Sequence, residues 1–234
     1  MRKITLTALL FLTCYSLFAQ VKPVTKTVTK VVVTKARLVE IKTDFGTMIV
    51  KLSDSTPLHR DNFIKLVKEH FYDSLLFHRV IQGFMIQGGD PESKHADDTA
   101  MLGNGEAPGE MIPAEFKPNL IHKKGALAMA RTDNPEKASS DCQFYIVEGS
   151  PVDDVALNGQ ECNIRQAGDQ LFYYTDAQRK TYKSVGGTPF LDQNYTVFGE
   201  VISGLDVVDK IAAVEKDQND RPLKNIRMKM RMLN

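Results

Sequence analysis

The stretch 77–90 reads FHRVIQGFMIQGGD. One arginine, two glutamines, Phe84 and Met85 stand among apolar strand residues, and glycines fall where the chain must turn. A lone arginine in a strand is usually a solvated or paired side chain. Here its neighbours are amides and large apolar groups, which makes Arg79 a candidate for chemistry.

Working outward, the N-terminal side becomes orderly at Leu38. Val39, Ile41 and Thr43 alternate with Glu40 and Lys42, Asp44-Phe45-Gly46 turns, and Met48, Val50 and Leu52 alternate with Thr47, Ile49 and Lys51. This is a hairpin. A helix follows, with Ser55 or Thr56 to cap it, Pro57 in its first turn, and Phe63, Leu66, Val67 and His70 on one face. On the C-terminal side, short apolar runs split by Gly, Pro and Asn fill the middle of the chain, residues 76–149. A second helix has Ser203 as its cap and Leu205, Val208, Ile211 and Ala212 as its stripe. In the last segment Ile226, Met228, Met230 and Met232 alternate with Arg227, Lys229 and Arg231, the core face of a closing strand. Residues 151–187 differ in being polar and weakly patterned. One helix is readable there, capped by Thr175 with Gln178 three residues on, and the segment is expected to be a surface insertion. Hairpin, helix, strands, helix and strand predict a mainly β fold, an antiparallel barrel capped by helices.

Phe77–Asp90 resembles the signature of the cyclophilins, and the resemblance extends beyond it. Asn62-Phe63 in the first helix, GALAMAR at 125–131, CQFYIV at 142–147 and FLDQNYTVFGEV at 190–201 are similar to further motifs of that family, in the same order. The match covers nearly all of 38–234, the insertion apart. It implies a closed eight-stranded antiparallel barrel with a peptide groove on its outer wall and peptidyl-prolyl cis-trans isomerase activity. Carried over by position, Arg79 and Gln87 would be catalytic. The substrate would meet Phe84, Met85, Ala130, Arg131, Thr132, Gln143, Tyr145, Phe190, Leu191 and Tyr195. Phe84, Met85, Tyr145 and Leu191 would form the proline pocket, Gln87 would orient Arg79, and Gln143 with the backbone near Arg131 would hold an extended peptide. Four positions depart from common members. Tyr145 stands for Phe, and its hydroxyl needs a partner if buried. Tyr195 stands for His. Phe190 stands for Trp, which speaks against tight cyclosporin binding. Arg131 stands for Asn and would favour acidic groups near the substrate's proline.

The chemistry is consistent with one arginine. An X–Pro bond resists rotation because the amide is conjugated, with a barrier of about 18–20 kcal/mol. At the twisted transition state the prolyl nitrogen regains a lone pair, which a permanently charged donor can bond there and not in the planar ground state. A thousandfold gain needs only about 4 kcal/mol. No cofactor, metal or nucleophile is called for, and none is indicated. The five histidines form no HxxxH or HxH pair, the cysteines have no CxxC spacing, and no GxSxG occurs. Gly88-Gly89-Asp90 and Gly103-Asn104-Gly105 read as tight turns rather than phosphate cradles.

The 234 residues are 42% apolar and 25% charged, ordinary for a soluble globular protein, and a net charge of +1 gives no sign of nucleic-acid binding. The N-terminus reads differently. Arg2 and Lys3 precede an apolar run, Ile4 to Phe18, ending at Ala19-Gln20, the form of a secretory signal peptide over 1–19. An uncleaved membrane anchor and lipidation at Cys14 are the alternatives, both a poorer fit. Residues 20–37 form a Val/Thr/Lys linker ahead of the domain at 38–234. The expected location is the periplasm, and the expected partners are proline-containing segments of exported proteins, met by a monomer. After cleavage Cys142 and Cys162 remain, and the sequence leaves their pairing open. Two other functions stay in view: a groove that holds proline peptides without turning them over, motivated by Tyr145 and Tyr195, and an envelope-attachment protein using the basic tail.

Overall fold

The computed structural model describes residues 36–98, 100–107 and 109–233. The expected signal peptide, and all of the linker but its last two residues, lie outside the described residues. Arg37 already belongs to the domain. Its carbonyl accepts from Leu52 N–H at 2.9 Å, and its guanidinium pairs with Asp54.

The hairpin forms as its alternation requires. β1 (Leu38–Thr43) and β2 (Gly46–Leu52) pair with Thr43 opposite Gly46, so Asp44 and Phe45 make a two-residue turn. Val39, Ile41, Met48 and Val50 are buried on one face, while Lys42, Thr47 and Lys51 stay exposed on the other. Six further strands complete the sheet: β3 (Phe77–Ile81), β4 (Met85–Gly88), β5 (Ala126–Met129), β6 (Phe144–Val147), β7 (Val197–Ser203) and β8 (Lys229–Leu233). Their order is β3-β4-β6-β5-β7-β2-β1-β8, with every neighbouring pair antiparallel. The segments leading into the two edge strands close the barrel. Ser74 and Phe77 donate to the carbonyls of Met228 and Ile226, and Met228 donates to that of Leu75, each at 2.9 Å. Ile226, Met228 and Met230 face the core and Met232 packs at its margin, so the methionine stripe is the inner face of a closing strand.

Two helices complete this core. α1 (Pro57–Lys68) contributes Phe63, Leu66 and Val67, and Phe63 packs its ring within 5.1–5.7 Å of Tyr72, Phe144 and Phe198. Pro57 occupies the first turn as expected, but neither Ser55 nor Thr56 caps the helix through its side chain. The cap comes from Glu115, far along the chain. Its carboxylate accepts from Leu58 N–H at 3.2 Å and His59 N–H at 3.0 Å, and lies 2.8 Å from His59 Nδ1. A carboxylate there satisfies orphan amides and opposes the helix dipole. α4 (Leu205–Ala212) supplies Val207, Val208, Ile211 and Ala212. Its expected cap, Ser203, is instead the last residue of β7, and the N-cap is Gly204 at φ +86°. A Cβ there would stand 2.4 Å from the Thr47 carbonyl oxygen, so the direct strand-to-helix turn requires glycine.

The 151–187 segment holds two helices rather than one. α3 (Asp176–Ser184) has the capping box expected of Thr175 and Gln178. α2 (Asp154–Gln166) escaped the sequence reading because its buried positions are Leu157, Gln160, Glu161 and Ile164. The helical spacing is there, but half the inward face is polar, so hydropathy conceals it. Glu161 can be buried because it accepts from Tyr174 N–H at 2.8 Å and from Arg179 at 2.7 Å. The insertion thus carries a small core of its own, Leu157, Ile164, Phe172, Tyr174 and Tyr182 against Ile121 of the barrel. Cys142 is buried and Cys162 is exposed on α2; both are free, so the question of their pairing closes without a disulfide.

Candidate functional site

The outward faces of β3, β4, β6 and β5, adjacent in the sheet, build the site. Along β6, Phe144 and Ile146 enter the barrel core, while Tyr145 and Val147 join an outer apolar cluster. Along β5, Leu127 and Met129 point in, and the small Ala126 and Ala128 point out. In β3 simple alternation fails. Phe77 and Val80 are both core residues, because the β3–β4 register shifts between Phe77 and Arg79. The irregularity re-phases the strand, so Arg79 shares the outer face with Ile81 instead of following Phe77 inward.

Most of the residues expected at the site come together here. Met85, Tyr145 and Leu191 are buried in the outer cluster, with Phe84, Ala130 and Tyr195 packed against it. Phe190 is exposed and lies against Phe84 at a centroid distance of 5.5 Å. Gln87, Ala130, Arg131, Thr132 and Gln143 line an adjoining recess of about 300 Å³, shared with Gly103, Asn104, Glu106, Met111 and Asp141. Ala130 N–H donates to the Gln143 carbonyl at 2.8 Å, tying the two walls together. Thr132 is an exposed rim residue.

Two expected roles change. Gln87 is the cross-strand neighbour of Arg79, but its side-chain amide donates to Gln143 Oε1 at 3.1 Å. Gln143 in turn donates to the carbonyls of Gly103 and Gly105, so the two glutamines fasten the loop beside the recess. The charge beside Arg79 is Asp220, with Oδ2 3.8 Å from Nε, on a loop whose backbone accepts from Val80 N–H. The Arg79 side chain keeps 42% of its surface exposed, so the guanidinium is available to a ligand. Arg131 was expected to greet acidic substrate groups. Its guanidinium instead lies 4.8 Å over the Tyr195 ring and donates to the Asn194 and Thr132 carbonyls, with only 10% of the side chain exposed. It braces Tyr195.

The Tyr145 hydroxyl has the partner that burial demands. It lies 2.9 Å from His122 Nε2, while His122 Nδ1 lies 2.7 Å from Asp192 Oδ1, which also accepts from His122 N–H at 2.8 Å. Asp192 Oδ2 accepts from Tyr174 O–H at 2.7 Å and Tyr182 O–H at 2.5 Å. Burial holds all three tyrosines well above the ordinary phenol range, so they stay protonated donors. A carboxylate accepts only, so His122 Nδ1 donates to Asp192 while Nε2 faces the Tyr145 hydroxyl. Sequence reading missed His122, Asp192, Tyr174, Tyr182 and Asp220 as site residues. No local motif marks His122, Tyr174, Tyr182 or Asp220, and Asp192, although inside the 190–201 motif, has its partners outside it.

Fold and site together define an antiparallel barrel whose outer wall carries the candidate site. The family described as "Cyclophilin type peptidyl-prolyl cis-trans isomerase/CLD" matches residues 38–231, and the chain belongs to it. It is similar to the peptidyl-prolyl cis-trans isomerase of Acinetobacter baylyi, 36% identical over 178 residues covering 76% of this chain and 72% of that protein. It is also 35% identical over 195 residues to a Streptococcus pyogenes relative, covering 80% of this chain but only 37% of that longer protein. Among solved structures it resembles a Cryptosporidium parvum cyclophilin type isomerase, with a TM-score of 0.61, 24% identity, and coverage of 86% of this chain and 99% of that one. At that identity the likeness speaks for the fold. The same parasite protein has also been solved in the presence of the dipeptide Ala-Pro.

Proposed function

We propose that this isomerase accelerates X–Pro rotation in exported proteins, with Arg79 as the group that acts on the amide. The observation that carries this is an exposed guanidinium on the same outer face as a buried apolar cluster of Met85, Tyr145 and Leu191. The cluster would take the proline ring, and Gln143 and the Ala130–Arg131 backbone would hold the flanking peptide extended. As the C–N bond twists, the prolyl nitrogen's lone pair turns toward the Arg79 N–H groups, an interaction absent from the planar ground state. Asp220 restrains the guanidinium without covering it. That the parasite protein was solved in the presence of the dipeptide Ala-Pro supports a proline peptide as the ligand. A groove that merely holds peptides loses one motive, since the Tyr145 hydroxyl is already engaged by buried His122. The exported setting rests on the basic and apolar N-terminus.

The test is isomerisation of a short Ala-Pro peptide by the wild type and by Arg79→Ala. The variant should lose about a hundredfold in kcat/KM, the effect of removing one transition-state donor. Equal rates would overturn the role of Arg79.

A further inference from the structure

Two of the three tyrosines of the 151–187 insertion, Tyr174 and Tyr182, meet the carboxylate that holds His122. The insertion's ends leave and return beside that histidine. Gly187 N–H donates to the Ser150 carbonyl at 3.1 Å, and Thr188 N–H donates to the His122 carbonyl at 2.8 Å. A Cβ on Gly187 would sit 2.3 Å from the His122 carbonyl oxygen and 2.6 Å from the Tyr182 ring, so the root is packed too closely for any side chain. From this root Tyr174 and Tyr182 donate to one oxygen of Asp192, whose other oxygen holds His122, which engages Tyr145. Tyr145, His122, Asp192 and Tyr182 are all at most 4% exposed, and Tyr174 is 5% exposed.

We propose that the insertion is a positioning element for the substrate pocket: Tyr174 and Tyr182, acting through Asp192 and His122, set the position of the Tyr145 ring that receives the proline. This rests on the reading of Tyr145 as part of the proline pocket. Asp192 has four donors, two from His122 and two from the insertion. Removing the insertion's pair leaves a buried carboxylate with half its donors, and the histidine it holds is, among the described residues, the hydrogen-bond partner of the Tyr145 hydroxyl. The pocket floor of this chain is therefore set partly by residues that the substrate never touches.

A double-mutant cycle on the full chain tests this. Tyr174→Phe/Tyr182→Phe keeps both rings and deletes both donors. It should raise KM for an Ala-Pro peptide about five-fold with a smaller change in kcat, and Tyr145→Phe should raise KM comparably. Combining them should add less than two-fold, because the insertion's tyrosines would have nothing left to position. Tyr173→Phe, an exposed tyrosine of the same segment, should leave both constants unchanged. The same fold-increase in both backgrounds, or no change in KM, would overturn the proposal. If the double variant does not fold, Tyr174→Phe alone runs the same cycle. Arg79→Ala, measured in parallel, separates the two levels. A normal rate for it overturns the role of Arg79, and an unchanged KM for Tyr145→Phe overturns the reading of Tyr145 as part of the pocket, whereas a raised KM for Tyr145→Phe alongside unaffected Tyr174/Tyr182 variants overturns only the role of the insertion.

Discussion

His78 directly precedes Arg79 in β3, is 4% exposed, and stands near Asp90, Arg79 and Arg221. Burial, helped by the two arginines and opposed by Asp90, lowers its pKa to about 4. His59 shifts in the same direction, since burial outweighs the Glu115 carboxylate. An unfolded imidazole takes up a proton near pH 6.5, whereas the folded His78 refuses it until about 4. The unfolded state therefore binds more protons across that window, and folding stability falls as pH drops through it. The gap corresponds to on the order of 3 kcal/mol for His78. Thermal unfolding at pH 7.5 and 4.5 should show a clear acid loss in the wild type and a smaller one in His78→Gln; an unchanged pH dependence would remove His78 from the account. At this scale Arg79 could be named as a candidate because a lone strand arginine stands among amides and large apolar groups, and Gln143 and Tyr145 because CQFYIV at 142–147 resembles a cyclophilin motif. Asp220 and His122 could not, because an aspartate in a loop and a single histidine carry no signal until the fold gives them partners.

Elements were legible wherever one face is uniformly apolar. β1, β2, β8, α4 and α1 as far as Val67 follow from their spacing, since a buried stripe writes its period into the chain, whereas His70, expected on the same face of α1, lies past its end and is exposed. α2 was not, because Gln160 and Glu161 occupy its buried side, Glu161 held there by Tyr174 and Arg179. Helix ends were misjudged for a related reason. A serine or threonine before a helix promises a local cap, but α1 takes its cap from Glu115 and α4 from the shape of Gly204. Glu115→Ala removes the acceptor of two helix amides and the partner of His59. It should lower stability by about 2 kcal/mol, read by chemical denaturation as a lower midpoint with an unchanged slope. A shift under a quarter of that size would show that another group caps α1. The rephasing of β3 belongs here too. Strict alternation would send Arg79 and Phe77 to one face, and only the pairing with β4 puts them on opposite faces.

Across the whole molecule, the barrel places the site on its outside, leaving the interior to Phe63, Phe144, Phe198 and their neighbours. The insertion joins this scaffold beside His122, through Gly187 and Thr188. The N-terminal region leads to a separate expectation, that the chain is exported and cut after Ala19. Mass spectrometry of the protein recovered from cells should then find Gln20 as the first residue, and a chain still beginning at Met1 would contradict it. By itself, the sequence determined the fold and the family, because periodic burial and several ordered motifs over residues 38–231 are properties of the chain read in one dimension. It also determined that a buried Tyr145 would need a hydrogen-bond partner. Which group answers that need was settled only by tertiary structure, and so were the outward turn of Arg79, the bracing of Tyr195 by Arg131, and the link from the insertion to the pocket. Each depends on residues brought together by strand register or by burial against a distant segment, and neither leaves a periodic trace in the sequence.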